Sequence, residues 1–209
     1  MLAAEAGVAA STTSAHLAKL VAAHLLTVER RGRHRYFRLA GPDVATLLEA
    51  IARVAPSSPV RSLTEGMRAE ALRRARTCYD HLAGRLGVAL FDALLERGAI
   101  EAFAALTSVE SGGEGASFGE PTYRLTECGR EVFSAFGLET DSSQGRRPMI
   151  RACLDWSEQR PHLAGVLGAA LAQRLFELRW ISRVPRGRAL RITEEGGRGL
   201  LDSFGIAAH

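Results

Sequence analysis

Two sets of side chains in this sequence have types and spacings that could do chemistry. The first resembles a ligand set: Cys78, Asp80 and His81, then Cys153, Asp155 and His162, in the same order. Cys78, His81, Cys153 and His162 together make a Cys2His2 set of the kind zinc takes, and one thiolate with imidazoles also suits other borderline metals. The alternative is packing. A cysteine on a helix sits as a small apolar side chain, and Asp and His beside it pair with the many arginines. Residues 63–95 are helix-forming in composition, so Cys78 and His81, three apart, would share a helix face, and that spacing leaves both readings open.

The second set is cationic. Arg30, Arg31, Arg33, His34 and Arg35 fall within six positions, and Ser11, Thr12, Thr13, Ser14, His16 and Lys19 precede them. Clustered arginines meet phosphates, while short hydroxyls, an imidazole and an ammonium can approach base edges. Residues 1–40 hold six of the 27 Lys and Arg and two of the 23 Asp and Glu. The whole net charge of +4 therefore lies there, and the rest of the 209-residue chain is neutral. A basic patch beside a neutral body is the footprint of a protein that meets nucleic acid with one face.

The elements that must carry the cationic set follow from periodicity. Ala15, Leu17, Ala18, Leu20, Val21 and Leu25 recur at helical spacing, with Ser11 and Thr12 as hydroxyls to cap the helix start. Alternation then takes over across Val28, a turn at Arg31-Gly32-Arg33, and Tyr36, Phe37 and Leu39, which predicts a hairpin with arginines at its tip. Residues 1–8 read as a short helix ended by Gly7, whose freedom at positive φ suits a tight turn between helices. A further amphipathic helix is predicted over residues 42–54, with Val44, Leu47, Leu48 and Ile51 on one face. The segment APSSP, 55–59, reads as a linker and the glycine-rich segment 108–121 as a loop.

Helix, glycine turn, helix and basic hairpin together resemble the winged helix-turn-helix regulators of the ArsR/SmtB type. The string LA-x-x-x-G-V-x-x-S-T-x-S-x-H-L-x-x-L is carried by Leu2, Ala3, Gly7, Val8, Ser11, Thr12, Ser14, His16, Leu17 and Leu20, and the wing by Arg31, Gly32, Tyr36 and Leu39. The resemblance covers about the first 55 residues. It implies double-stranded DNA as partner, a homodimer, and contact through Ser11, Thr12, Thr13, Ser14, His16 and Lys19 on the recognition helix and Arg30, Arg31, Arg33 and Arg35 on the wing. Against the family pattern the chain begins inside the first helix of the motif, so the first helices of the domain are expected to be missing. His24 stands where the family has a glycine, and LAAEAGVAA lacks the cysteine pair that other members use for metals.

The remainder repeats itself. Residues 76–90 match 151–171 with six residues added in the second copy, and 123–138 match 190–206. Each copy is expected to run helix, helix, strand, helix, with Thr126 or Thr193 capping the last helix. The segment 180–193 parallels the first hairpin, so two winged-helix-like units are expected. The pairs Gly84/Gly87 and Gly165/Gly168 are expected to allow close contact between the copies, not to bind phosphate, since neither follows a predicted strand. The fold class is therefore mainly α with small β-hairpins (α+β), divided as 1–55, 60–140 and 148–209. Cys128 is expected to pack without a partner.

Several function classes recede. No apolar run reaches the length of a bilayer span, and the first residues lack the order of a signal peptide, so a cytoplasmic protein is expected. Three scattered cysteines do not make a disulfide scaffold. No phosphate loop or nucleophile elbow points to an enzyme. What remains is a DNA-binding transcriptional regulator, a dimeric repressor responsive through the repeats to an effector for which zinc or a similar metal is the candidate. The alternative is a ligand-binding or adaptor body with weak or no DNA binding.

Overall fold

A computed structural model describes residues 2–56, 62–103, 122–140, 147–185 and 187–207. It is an α+β chain of helices and two-stranded antiparallel hairpins, and it divides into two compact units, residues 1–51 and 52–209. No described helix is long and apolar enough to cross a membrane.

In the first unit α1 (Leu2–Ala6) ends at Gly7, whose φ of 65° makes the turn into α2 (Ala10–Ala22). The expected cap is corrected. Ala9 is the N-cap, with no side-chain hydrogen bond, and Ser11 and Thr12 lie inside the first turn, too far along to cap it. Thr13 Oγ1 donates back to the Ala9 carbonyl at 3.0 Å. At the other end His24 takes φ 56°, and the N–H groups of His24 and Leu25 donate to Val21 and Leu20. The chain then forms β1 (Leu26–Arg31) and β2 (His34–Leu39), joined by a two-residue turn at Gly32-Arg33 with Gly32 at φ 58°. Positive φ at the first turn residue is what a tight hairpin needs and glycine supplies without strain. Helix α3 (Pro42–Val54) has the predicted bounds. A unit this small buries little: no residue of α1 or α2 is buried.

The second unit departs from expectation at its start. Residues 63–95 are not one helix but α4 (Leu63–Arg74), the strands β3 (Arg76–Cys78) and β4 (His81–Ala83), and α5 (Gly84–Glu96). Two residues break the helix: Tyr79 takes φ 57° in the hairpin loop, and Gly84 takes φ 75° at the start of α5. Next come β5 (Ile100–Phe103), β6 (Thr122–Leu125) and α6 (Glu127–Ala135). The order hairpin, helix, hairpin, helix then recurs in β7 (Arg151–Leu154), β8 (Pro161–Ala164), α7 (Gly165–Glu177), β9 (Ile181–Arg183), β10 (Leu190–Ile192) and α8 (Glu194–Phe204). That order replaces the helix, helix, strand, helix read from the sequence. Thr126 and Thr193 are N-caps, their hydroxyls accepting from the N–H groups of Gly129 and Gly196 at 3.0 and 2.9 Å. The linker lies outside the described residues from position 57 on, and the loop 108–121 lies wholly outside them.

The core of this unit is shared between the two copies. Leu90, Phe91 and Leu94 of α5 and Leu167, Leu171 and Leu175 of α7 lie in one buried cluster with Phe133, Leu200 and Phe204. Helix α5 packs on β8 of the other copy, and α7 on β4. Two glycines permit that crossing. A Cβ on Gly87 would stand 2.6 Å from the Leu82 carbonyl oxygen and 3.4 Å from His162 Cβ; one on Gly168 would stand 2.5 Å from the Leu163 oxygen and 3.4 Å from His81 Cβ.

Candidate functional site

The cationic set lies on α2 and on the β1–β2 hairpin of the first unit. Ser11, Thr12, Ser14, His16 and Lys19 of α2 are exposed, and Thr13 is half-buried with its hydroxyl proton engaged within the helix. On the hairpin Arg30 pairs across strands with Arg35, Arg31 with His34, Glu29 with Tyr36 and Val28 with Phe37. Alternation places Arg30 and Arg35 on one face and Arg31 on the other. Two like charges directly opposite repel, so the Arg30/Arg35 pair gains from an anion between them. Arg31 is already occupied: its guanidinium donates to Glu29 at 2.8 and 3.2 Å and lies 5.8 Å from the Tyr36 ring centre. Arg30 and Arg33 form no ion pair among the described residues, and both are exposed.

The ligand-like set converges inside the second unit. Cys78 and His81 face each other across β3 and β4, and Cys153 and His162 across β7 and β8. All four are buried, and one donor atom from each lies within 4.8 Å of the other three. The two sulfurs are 4.0 Å apart, and the imidazole centres 5.1 Å. Placing Cys78 and His81 on one helix is therefore corrected. A two-residue turn brings them together as a cross-strand pair, and the six residues inserted between Cys153 and His162 form a longer turn that does the same.

Each histidine has its own carboxylate. His81 Nδ1–H donates to Asp80 at 3.2 Å, and His162 Nδ1 is 3.5 Å from Asp155 Oδ2. Each carboxylate in turn holds an arginine. Arg147 donates to both oxygens of Asp80, at 2.5 and 3.0 Å, and Arg76 to Asp155 at 2.8 Å. Asp155 also accepts from the N–H groups of Gly84, Ser157 and Glu158, so it caps α5 of the other copy. Burial pushes Asp80 and Asp155 up, but these donors outweigh it and hold both well below the usual carboxylate range. The Cys78 sulfur lowers Cys153 far below an ordinary thiol, burial opposing and His162 and His81 adding to the effect. Burial opposes protonation of His81, yet Asp80 and the Cys153 sulfur raise it.

The four donors and both aspartates stand out in the sequence by their types and recurrence, whereas Arg76, Arg147 and Ser157 do not. Arg76 and Arg147 carry no local signal, because each meets its aspartate only through the fold. Cys128 also differs from expectation: it is exposed, its Sγ 3.5 Å from the Arg97 carbonyl oxygen.

The chain is α+β and opens with helix, turn, helix and a basic hairpin, an order compatible with a helix-turn-helix protein. A Bacillus subtilis (strain 168) protein described as the uncharacterized HTH-type transcriptional regulator YdfF is 42% identical over 192 residues, covering 91% of this chain and 78% of the relative. The chain belongs to the HTH-type transcriptional regulators. No family profile matches it, and no solved structure does.

Proposed function

We propose that the chain is a sequence-specific DNA-binding regulator of the winged helix-turn-helix kind, with the ArsR/SmtB-like string of its first 55 residues as the reading head. Ser11, Thr12, Ser14, His16 and Lys19 enter the major groove, and Arg30, Arg33 and Arg35 lie along the flanking phosphates. The carrying observation is that residues 1–40 hold six basic and two acidic residues, an excess equal to the whole net charge of +4, and that Ser11, Thr12, Ser14, His16, Lys19, Arg30, Arg33 and Arg35 are all exposed. Thr13 and Arg31 contribute less direct contact, since both are engaged within the protein.

Homodimeric repression is part of the proposal. Leu47, Leu48 and Ile51 of α3 are each about half exposed (51, 47 and 52%), an apolar stripe that a second copy would cover. The second unit serves as a body that biases the first according to its own state, and the proposal assigns the chain no catalysis. Fluorescence anisotropy with the DNA upstream of the chain's own coding region tests the reading. Binding that is tighter than to a scrambled duplex, and loses that preference in His16→Ala with Lys19→Ala, is the expected result. Equal affinity for both duplexes in the unaltered chain would favour the adaptor reading instead.

A further inference from the structure

We propose that Cys78, His81, Cys153 and His162 bind one transition-metal dication, and that zinc is the ion their donor set fits. This goes beyond the regulator reading and stands whether or not the chain binds DNA. Four donors from two separate hairpins already lie within 4.8 Å of one another in a buried site. Around a tetrahedral zinc, two sulfurs are ~3.8 Å apart and a sulfur and a nitrogen ~3.6 Å. The observed 4.0 Å between the sulfurs is near the first value, and the widest pair would close by ~1 Å.

The imidazoles support a metal over plain packing. His81 Nε2 and both ring nitrogens of His162 are buried, and apart from the neighbouring sulfurs they have no hydrogen-bond partner among the described residues. Such atoms are costly unless something meets them. Asp80 on His81 Nδ1 fixes the tautomer that leaves Nε2 as donor, the carboxylate–histidine arrangement that accompanies metal ligation, while Asp155 Oδ2 lies 3.5 Å from His162 Nδ1 without a hydrogen bond to it. Charge also balances. The pairs Asp80–Arg147 and Asp155–Arg76 cancel, so two thiolates and a dication with neutral imidazoles leave the buried site without net charge.

Four protein ligands leave no open position, so the site is of the closed, structural type and not a catalytic one. Two ligands come from each copy. The ion would therefore tie the β3–β4 and β7–β8 hairpins together at the centre of the second unit.

The test uses the full chain, purified without chelator, then stripped with a chelator and a reductant and titrated with zinc and with cobalt(II). Expected are about one equivalent of either ion, an intense visible spectrum of tetrahedral cobalt with sulfur-to-cobalt charge transfer, and a raised melting temperature with zinc. Cys78→Ser and Cys153→Ser should each weaken uptake at least tenfold, and Cys128→Ser should leave it unchanged. If the serine variants do not fold, the cobalt spectrum of the unaltered chain decides by itself, because two thiolates and two imidazoles in a tetrahedron have a distinct signature. Absence of stoichiometric uptake by the folded, reduced chain would overturn the proposal. So would uptake that persists in the folded Cys78→Ser/Cys153→Ser double variant, or a Cys78–Cys153 disulfide in a chain that takes no metal after reduction.

Discussion

Arg76 and Asp155, 79 positions apart, form an ion pair in which both side chains are fully buried, with Nη2 and Oδ1 2.8 Å apart. Arg76 begins β3 and Asp155 directly follows β7, so the pair ties the β3–β4 hairpin to the β7–β8 hairpin. Arg76 lies 4.6 Å from the Trp156 ring centre and donates to the Leu72 carbonyl and to Ser157 Oγ. Asp155 reaches across to the N–H of Gly84 at 2.7 Å. A guanidinium forks between several acceptors in a way that an ammonium cannot.

Removing one partner of a buried pair strands the other charge, which costs about 3–5 kcal/mol. Asp155→Ala should therefore lower the unfolding free energy of the second unit by that much, read by urea denaturation. Because Asp155 also caps α5, Asp155→Asn should recover only part of the loss. A change under about 1 kcal/mol would show that the pair contributes no more than a surface contact.

Acid should act on the same groups. The folded state holds Asp80 and Asp155 below their unfolded value, so their stabilisation is present above about pH 4 and is lost as the pH falls further. His81 is raised, so its contribution has the opposite sign: complete below about pH 6.5 and lost as the pH rises past it. The urea midpoint of metal-free protein should therefore fall on both sides of a maximum between those limits. Asp80→Asn should reduce both slopes, since Asp80 is itself depressed and also supports His81.

Gly168→Ala places a methyl 2.5 Å from the Leu163 carbonyl oxygen, a backbone atom that has no rotamer to escape into. Overpacking of this sort costs about 1–3 kcal/mol. Gly87→Ala should cost a similar amount, since its clash with Leu82 is nearly the same. Gly197→Ala, with nothing within 4 Å of its Cβ, should leave the melting temperature unchanged or raise it slightly.

The first unit was largely legible in the sequence, and the centre of the second was legible only as a list of residues. Periodicity and glycine punctuation are local, so α3, the Gly7 turn and the first hairpin could be read from short stretches. Cys78 and His81 could be chosen from their recurrence as Cys153 and His162, but their stretch was read as helix. Composition there favours helix, and the features that break it, Tyr79 at positive φ and Gly84 against the Arg73 carbonyl, depend on packing by distant residues. Ser11 and Thr12 failed as caps for a smaller reason: the helix starts at Ala10, two residues before the start that a Ser11 cap implies.

If the hairpin meets DNA as proposed, its arginines should differ in what they contribute to affinity. Each phosphate contact removed lowers the slope of log affinity against log salt by about 0.9. Arg30→Ala, Arg33→Ala and Arg35→Ala together should lower it by up to about 2.7 on a non-specific duplex. Arg31→Ala should change it less than any one of these, because Arg31 already neutralises Glu29 and its loss frees an acid to repel the backbone without removing a phosphate contact. An affinity loss in Arg31→Ala accompanied by the largest drop in slope would reverse this order.

His24 closes α2 at φ 56°, a conformation that costs a residue with a Cβ about 1 kcal/mol and costs glycine almost nothing. The backbone bonds at this corner, from His24 to Val21 and from Leu25 to Leu20, do not depend on the imidazole. His24→Gly should therefore stabilise the first unit, by up to about 0.5 kcal/mol after the greater freedom of glycine in the unfolded chain is set against the relief of strain. Since α2 and β1 meet at this corner, the gain should appear as slower hydrogen exchange of the amides of Leu20 to Leu26, with no change in the second unit. Faster exchange there would mean that the His24 side chain supports the corner, and that the strain is retained for the sake of that contact.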